Sequence, residues 1–191
     1  MANAGMYDGA SSLAEAALMA TRVTKRSRII ILNTVSPRYV EVVRTFCQSQ
    51  GVELEIVADL PKSHDDNIAC VIVQNPNYYG YLENIASISK YAHSAGALVI
   101  VMVDPVSLGM FKPPGDFDVD IVVAEGHSLG VPPTYGGPYV GMFACKKKYL
   151  RQMPGRIVGK TKDTKDRTGY VLTMQTREQH IRREKATSNI C

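Results

Sequence analysis

The chain has no CxxC pair and no Cys/His cluster at metal-ligand spacing; Cys47, Cys70, Cys145 and Cys191 lie far apart. That scatter argues against a structural zinc site and against a disulfide framework. It fits a reducing compartment, the cytoplasm or, in a eukaryote, the mitochondrial matrix. The opening MANAGMYDGASS lacks a basic start followed by an apolar run, so no signal peptide is expected. The longest apolar run, Ala95 to Val103, is too short to cross a bilayer, and no membrane partner is expected. No GxGxxG or Walker sequence follows a strand, which disfavours a nucleotide-binding domain. Nucleic-acid-binding motifs are missing too, so no nucleic-acid partner is expected. Lysine is itself absent over one long stretch, with none between Lys112 and Lys146.

What is present describes a globular chain. Its 191 residues are 45% hydrophobic and 21% charged, enough for one sizeable domain with a buried core. The net charge of +4 is unevenly placed: thirteen of the 22 Lys and Arg fall after Cys145. Such a basic segment reads as a solvated face or as a contact for an acidic partner.

Alternating patterns of period 3.6 and short β-branched runs follow one another along the chain. Gly9 to Ala20 predicts a helix with Asp8 as its N-cap, and Arg28 to Leu32 a buried strand. Ser36-Pro37 opens a second helix reaching Gln50, with Ser36 as cap and Pro37 in the first turn. Strands are expected at Glu53–Val57 and Ala69–Gln74, then a helix over Leu82–Ala95 closed by Gly96. Ala97 to Val103 is apolar on both faces, as a central parallel strand covered by helices should be. Val119–Val123 and Tyr139–Cys145 read as further strands, with a loop over Gly126–Gly137 between them. KKKYLRQM (146–153) reads as a helix, Pro154–Arg167 as a polar loop, Gly169–Met174 as a strand and Arg177–Ala186 as a charged helix. The expected fold is α/β, a mostly parallel sheet flanked by helices. Ligands in such sheets gather at the carboxyl ends of the strands, here Gln74–Asn77, Asp104 and Glu125–Gly130.

This order of elements resembles the large domain of fold type I pyridoxal-phosphate enzymes, the aspartate aminotransferase-like family. That resemblance implies a Gly/Ala turn near the cofactor phosphate (Gly9-Ala10 here), and an Asp for the pyridine nitrogen (Asp104). It also implies a Schiff-base lysine after the next strand and a Gly-rich return, here Gly136-Gly137-Pro138. Five strings narrow the match: NAGMYDGASSLAEAALMA (3–20), QNPNYYG (74–80), AEGHSLGVPPTYGGPYVG (124–141), MPGRIVG (153–159) and REQHIRREKATSNIC (177–191). Together they resemble glycine decarboxylase, the P protein of the glycine cleavage system, in its first subunit or the first half of its single-chain form. The match runs essentially end to end. By that resemblance residues 1–153 form a pyridoxal-phosphate-transferase-like large domain, and 154–191 a basic loop and helix segment. Family subunits extend beyond this stretch at both ends, so the chain reads as a truncated piece, expected to be marginally stable or to associate when alone.

The family decarboxylates glycine and passes the aminomethyl group to the lipoyl arm of the H protein, with pyridoxal phosphate as the electron sink. Where the family's catalytic subunit carries a His-Lys pair, this chain has His127-Ser128. A serine cannot form an imine. The resemblance therefore implies a partner that does not anchor the cofactor, paired with a lysine-bearing second subunit that binds it, and no metal. Asp104, His127 and Ser128 stand as vestigial or interface residues rather than catalytic ones.

Plainer readings accompany each. Asp104 serves equally as a cap for the segment begun by Pro105, His127 as a hydrogen-bonded loop residue and Ser128 as a turn residue. Tyr7 packs, Asp8 caps, and Tyr78 and Tyr79 pack against the body of the protein. The charged run after Arg177 is a solvated helix, or a contact for the second subunit or H protein. The alternative function is a self-sufficient pyridoxal-phosphate enzyme such as a small aminotransferase or decarboxylase, which the missing lysine opposes.

Overall fold

The structure is a computed structural model that describes residues 1–191 except 4, 64, 133, 176–178, 182, 184–185 and 187–191. The charged helix expected over Arg177–Ala186, the basic contacts assigned to it and Cys191 lie largely outside the described residues.

Six strands form one sheet in the order β2-β1-β3-β4-β5-β6. They are β1 (Arg28–Leu32), β2 (Glu53–Val57), β3 (Ile68–Asn75), β4 (Leu98–Val103), β5 (Ile121–Glu125) and β6 (Gly141–Cys145). The first five pair in parallel, and β6 runs antiparallel to β5. Side chains alternate between two cores, as the period of two in a strand requires. Ile29, Ile31, Ile72, Ile100 and Val123 face one, and Ile30, Val71, Val73, Val99 and Val101 the other. Because both faces of the sheet are covered there, Ile68–Val73 of β3 and all of β4 are apolar without a break.

The first core is closed by α1 (Gly9–Thr24) and α2 (Pro37–Gln48). Four of the ten buried positions of α1 are alanines, which let the helix approach the sheet closely. Asp8 caps it as expected: its Oδ1 accepts from Ser11 N at 2.7 Å, and Ser11 Oγ accepts from Asp8 N. The helix outruns its expected end by four residues. Thr21 and Thr24 turn their hydroxyls back onto the Leu18 and Ala20 carbonyls, and Lys25 stops the helix in the left-handed conformation. α3 (Ile85–Ser94) closes the second core and starts three residues later than expected, where the Asn84 side chain caps it by accepting from Ser87 N. Ser36 does not cap α2 with its side chain; its own N–H donates instead to Gln74 Oε1 at 2.9 Å.

Two expectations are corrected. Lys147–Gln152 forms 3₁₀ turns rather than an α-helix. The stretch expected as a polar loop contains β7 (Ile157–Lys162), which pairs antiparallel with β8 (Thr168–Thr173) in a separate hairpin. Lysines at alternate positions hid this strand, because both faces of its outer half are exposed and no apolar stripe was needed. Among the described residues no helix is long and apolar enough to cross a membrane.

Cys47 and Cys70 are free and buried in the first core. Burial pushes the Cys47 thiol up to about 11 and raises that of Cys70 further. Neither should react with a thiol reagent at pH 8 while the chain is folded, and both should react in denaturant, as read by mass of the labelled peptides. Fast native labelling of either would contradict this packing.

Candidate functional site

β3, β4 and β5 end side by side at Asn75, Val103 and Glu125, and the head of α1 points to the same end of the sheet. A cleft of about 640 Å³ opens there between Asp8, Ser36, Arg38, Tyr39, Tyr78 and Tyr139. A smaller one of about 210 Å³, lined by Val103, Asp104, His127 and Ser128, adjoins it and shares Tyr39, Gln74 and Glu125 as walls. This is the strand-end crevice expected of an open α/β sheet.

Asp104, His127 and Ser128 all lie on the smaller cleft. Asp104 Oδ1 accepts from Val106 N at 3.0 Å, capping the 3₁₀ turn Pro105–Gly109, and also from Ser128 Oγ at 3.2 Å. Thus the Ser128 hydroxyl is spent on the aspartate. His127 differs from a simple hydrogen-bonded loop histidine. Its Nε2 is shielded from solvent and has no partner among the described residues, while its ring tilts against Tyr139 with centroids 5.5 Å apart. The segment Gly126–Leu129, expected as loop, is a 3₁₀ turn.

Glu125 is the residue whose role the sequence did not disclose. Its Oε2 accepts from Gly9 N at 2.8 Å, and its Oε1 from His127 N at 3.0 Å and Val140 N at 3.2 Å. Only its place at the end of an apolar strand, just before Gly126, marked it beforehand. Burial, and then the nearby Glu125 and Asp8 charges, raise the Tyr39 phenol above its ordinary value, so it stays protonated at neutral pH. Among the described residues Asp8, Asp104 and Glu125 face a single lining cation, Arg38.

Tyr78 and Tyr79 do not pack into the body. Asn77 holds the turn by accepting from Tyr79 N and Tyr81 N and donating to Glu83 Oε1, which leaves both rings outside, edge to face with each other. Tyr7 is likewise exposed rather than packed. Further apolar side chains crowd the same end: Tyr81, Leu82 and Val106 are exposed, Met110 is 84% exposed, and Tyr135 is fully so.

The sequence profile of the glycine cleavage system P-protein matches residues 1–191. The chain is 54% identical over its whole length to a probable glycine dehydrogenase (decarboxylating) subunit 1 of Desulforamulus reducens, and covers 45% of that protein. The same subunit of Desulfitobacterium hafniense is 51% identical, again with 45% covered. Among solved structures, a glycine decarboxylase (P-protein) of the glycine cleavage system in inhibitor-bound form superposes with a TM-score of 0.96 at 45% identity. That match takes in all of this chain and 45% of the other. A cystathionine gamma lyase from Micromonospora echinospora, 15% identical with a TM-score of 0.59, covers 76% of this chain and 39% of its own, and shares the fold alone. The chain thus spans somewhat under half the length of the curated relatives it matches.

Proposed function

The chain belongs to the glycine cleavage system P-protein family, and from that premise we propose that it forms part of subunit 1, or the first half, of a glycine-decarboxylating enzyme in which it does not anchor the cofactor. The assembled enzyme decarboxylates glycine and passes the aminomethyl group to the lipoyl arm of the H protein. Pyridoxal phosphate is held by a lysine-bearing second subunit or half. The reading places the assembly in the cytoplasm, as its bacterial relatives suggest.

One observation carries it: no lysine lies between Lys112 and Lys146, and the turn after β5, where the resemblance calls for an imine-forming lysine, holds Ser128 with its hydroxyl engaged by Asp104. Pyridoxal phosphate would supply an electron sink, but the residues here do not fit it, and no step of the reaction is assigned to them. What this chain contributes is shape and surface. The apolar rim of the strand-end cleft supports docking of the second subunit there, with Asp104, His127 and Ser128 near the junction. The basic stretch after Cys145 supports contact with the second subunit or an acidic carrier such as the H protein. The division into residues 1–153 as the large domain and 154–191 as an appended basic segment belongs to the same proposal; the hairpin of β7 and β8 lies in the latter. The alternative, a self-sufficient pyridoxal-phosphate enzyme, has no residue to carry it.

Co-purification with the lysine-bearing subunit, followed by a glycine–bicarbonate exchange assay, tests the reading. The pair should exchange, and this chain alone should show none above background. Exchange by this chain in isolation would overturn it.

A further inference from the structure

We propose that Glu125 is the built-in occupant of the anion cradle at the head of α1, closing this domain to the phosphate of pyridoxal phosphate and replacing it as a structural anchor. A helix head offers unpaired N–H groups and a partial positive charge, and binds phosphate for that reason. Here three of the four are taken: Asp8 N donates to Ser11 Oγ, Gly9 N to Glu125 Oε2 and Ser11 N to Asp8 Oδ1. The Glu125 carboxylate also gathers His127 N from the turn after β5 and Val140 N from the approach to β6. Three donors from three separate stretches of chain converge on one anion.

The fit is close. A Cβ on Gly9 would lie 2.9 Å from Glu125 Cβ and 3.0 Å from Glu125 N, so the helix head sits against β5 only because residue 9 is glycine. An incoming phosphate would have to expel this carboxylate and would still face Asp8 and Asp104 across the cleft. The missing lysine explains why no covalent bond forms; Glu125 explains why the phosphate is not held either. This step rests on the family reading only for the identity of the excluded cofactor. Its test uses the isolated chain and small anions, so it stands or falls apart from any exchange activity.

Glu125→Ala should melt roughly 4–8 °C below the wild type. Acetate or inorganic phosphate should then restore a good part of that loss by filling the emptied cradle, beyond any shift the same salt gives the wild type. A variant that melts with the wild type, or one that neither anion rescues beyond the wild-type shift, overturns the proposal. If the alanine variant does not fold in any salt, equilibrium dialysis of the wild-type chain decides. No saturable uptake of pyridoxal phosphate or inorganic phosphate at millimolar concentration supports the plug, and saturable uptake of either refutes it.

Discussion

Gly141→Ala should lower the melting temperature by roughly 6–12 °C, a loss of about 3 kcal/mol by the usual cost of overpacking a tight contact. Gly141 opens β6 and exchanges two hydrogen bonds with Met6, 2.8 and 3.0 Å long, which lay the N-terminal segment along the sheet edge. A methyl group there would land on Ser12 Oγ and the Asp8 carbonyl, with Met6 Cβ 2.7 Å away. The carbonyl is the decisive obstacle. It is fixed by Ser12 N and Ser12 Oγ at the head of α1, so either the helix or β6 must move. Moving them pulls Gly9 and Val140 off Glu125, and the cleft loses its floor. Adding Ser12→Ala removes one clash and leaves the carbonyl, so the double variant should recover little. Full recovery in the double variant, followed by circular dichroism on heating, would show that the carbonyl is not what limits the approach.

Asp120→Ala should cost about 1–3 kcal/mol, chiefly the penalty for leaving a buried backbone N–H without its acceptor. The Asp120 side chain is only 1% exposed and sits at the opposite end of the sheet from the cleft, just before β5. Its two oxygens accept from Val99 N at 3.1 Å and Lys146 Nζ at 2.9 Å, and pair with His93 Nε2 at 2.8 Å. Removing it leaves the Val99 N–H without its acceptor, while Lys146 keeps the Asp118 carboxylate and carbonyl. Asp120→Asn keeps the volume and one acceptor, and should lose roughly half as much. Urea titration measures both; equal losses for Asn and Ala would mean that charge alone matters. The same network has a pH signature. A hydrogen bond and the charge of Lys146 hold the Asp118 carboxyl below its ordinary range. A depressed carboxyl contributes stability above its unfolded pKa and loses it as pH falls through the folded one. Burial works against the charge of Lys146, but its two carboxylates outweigh burial and raise it. The network therefore holds at neutral pH, fading in acid as Asp118 gains a proton and in strong alkali as Lys146 loses one.

The sheet was legible because burial on both faces leaves no choice of residue: runs such as Ile68–Val73 and Leu98–Val103 are apolar throughout. Asp8 was legible because capping is a local event within three residues. β7 was not, since a projecting hairpin buries only Ile157 of its six residues and presents lysines to solvent. The outward turn of Tyr78 and Tyr79 depends on Asn77 and Glu83 caging the backbone, a tertiary arrangement with no periodic trace. For the site, the strand ends could be read directly. Glu125 could not, because its partners stand 116 residues before it and 15 residues after it in the chain.

The central claim is that this domain keeps the shape of a cofactor site while lacking the means to hold one. It is tested most directly by incubating the chain with pyridoxal phosphate and glycine-free buffer, reducing with borohydride, and mapping the peptides by mass. The account predicts no stoichiometric pyridoxyl adduct on any lysine, only sparse labelling scattered over exposed ones. A single lysine modified to completion, with the absorbance of an internal imine before reduction, would contradict it.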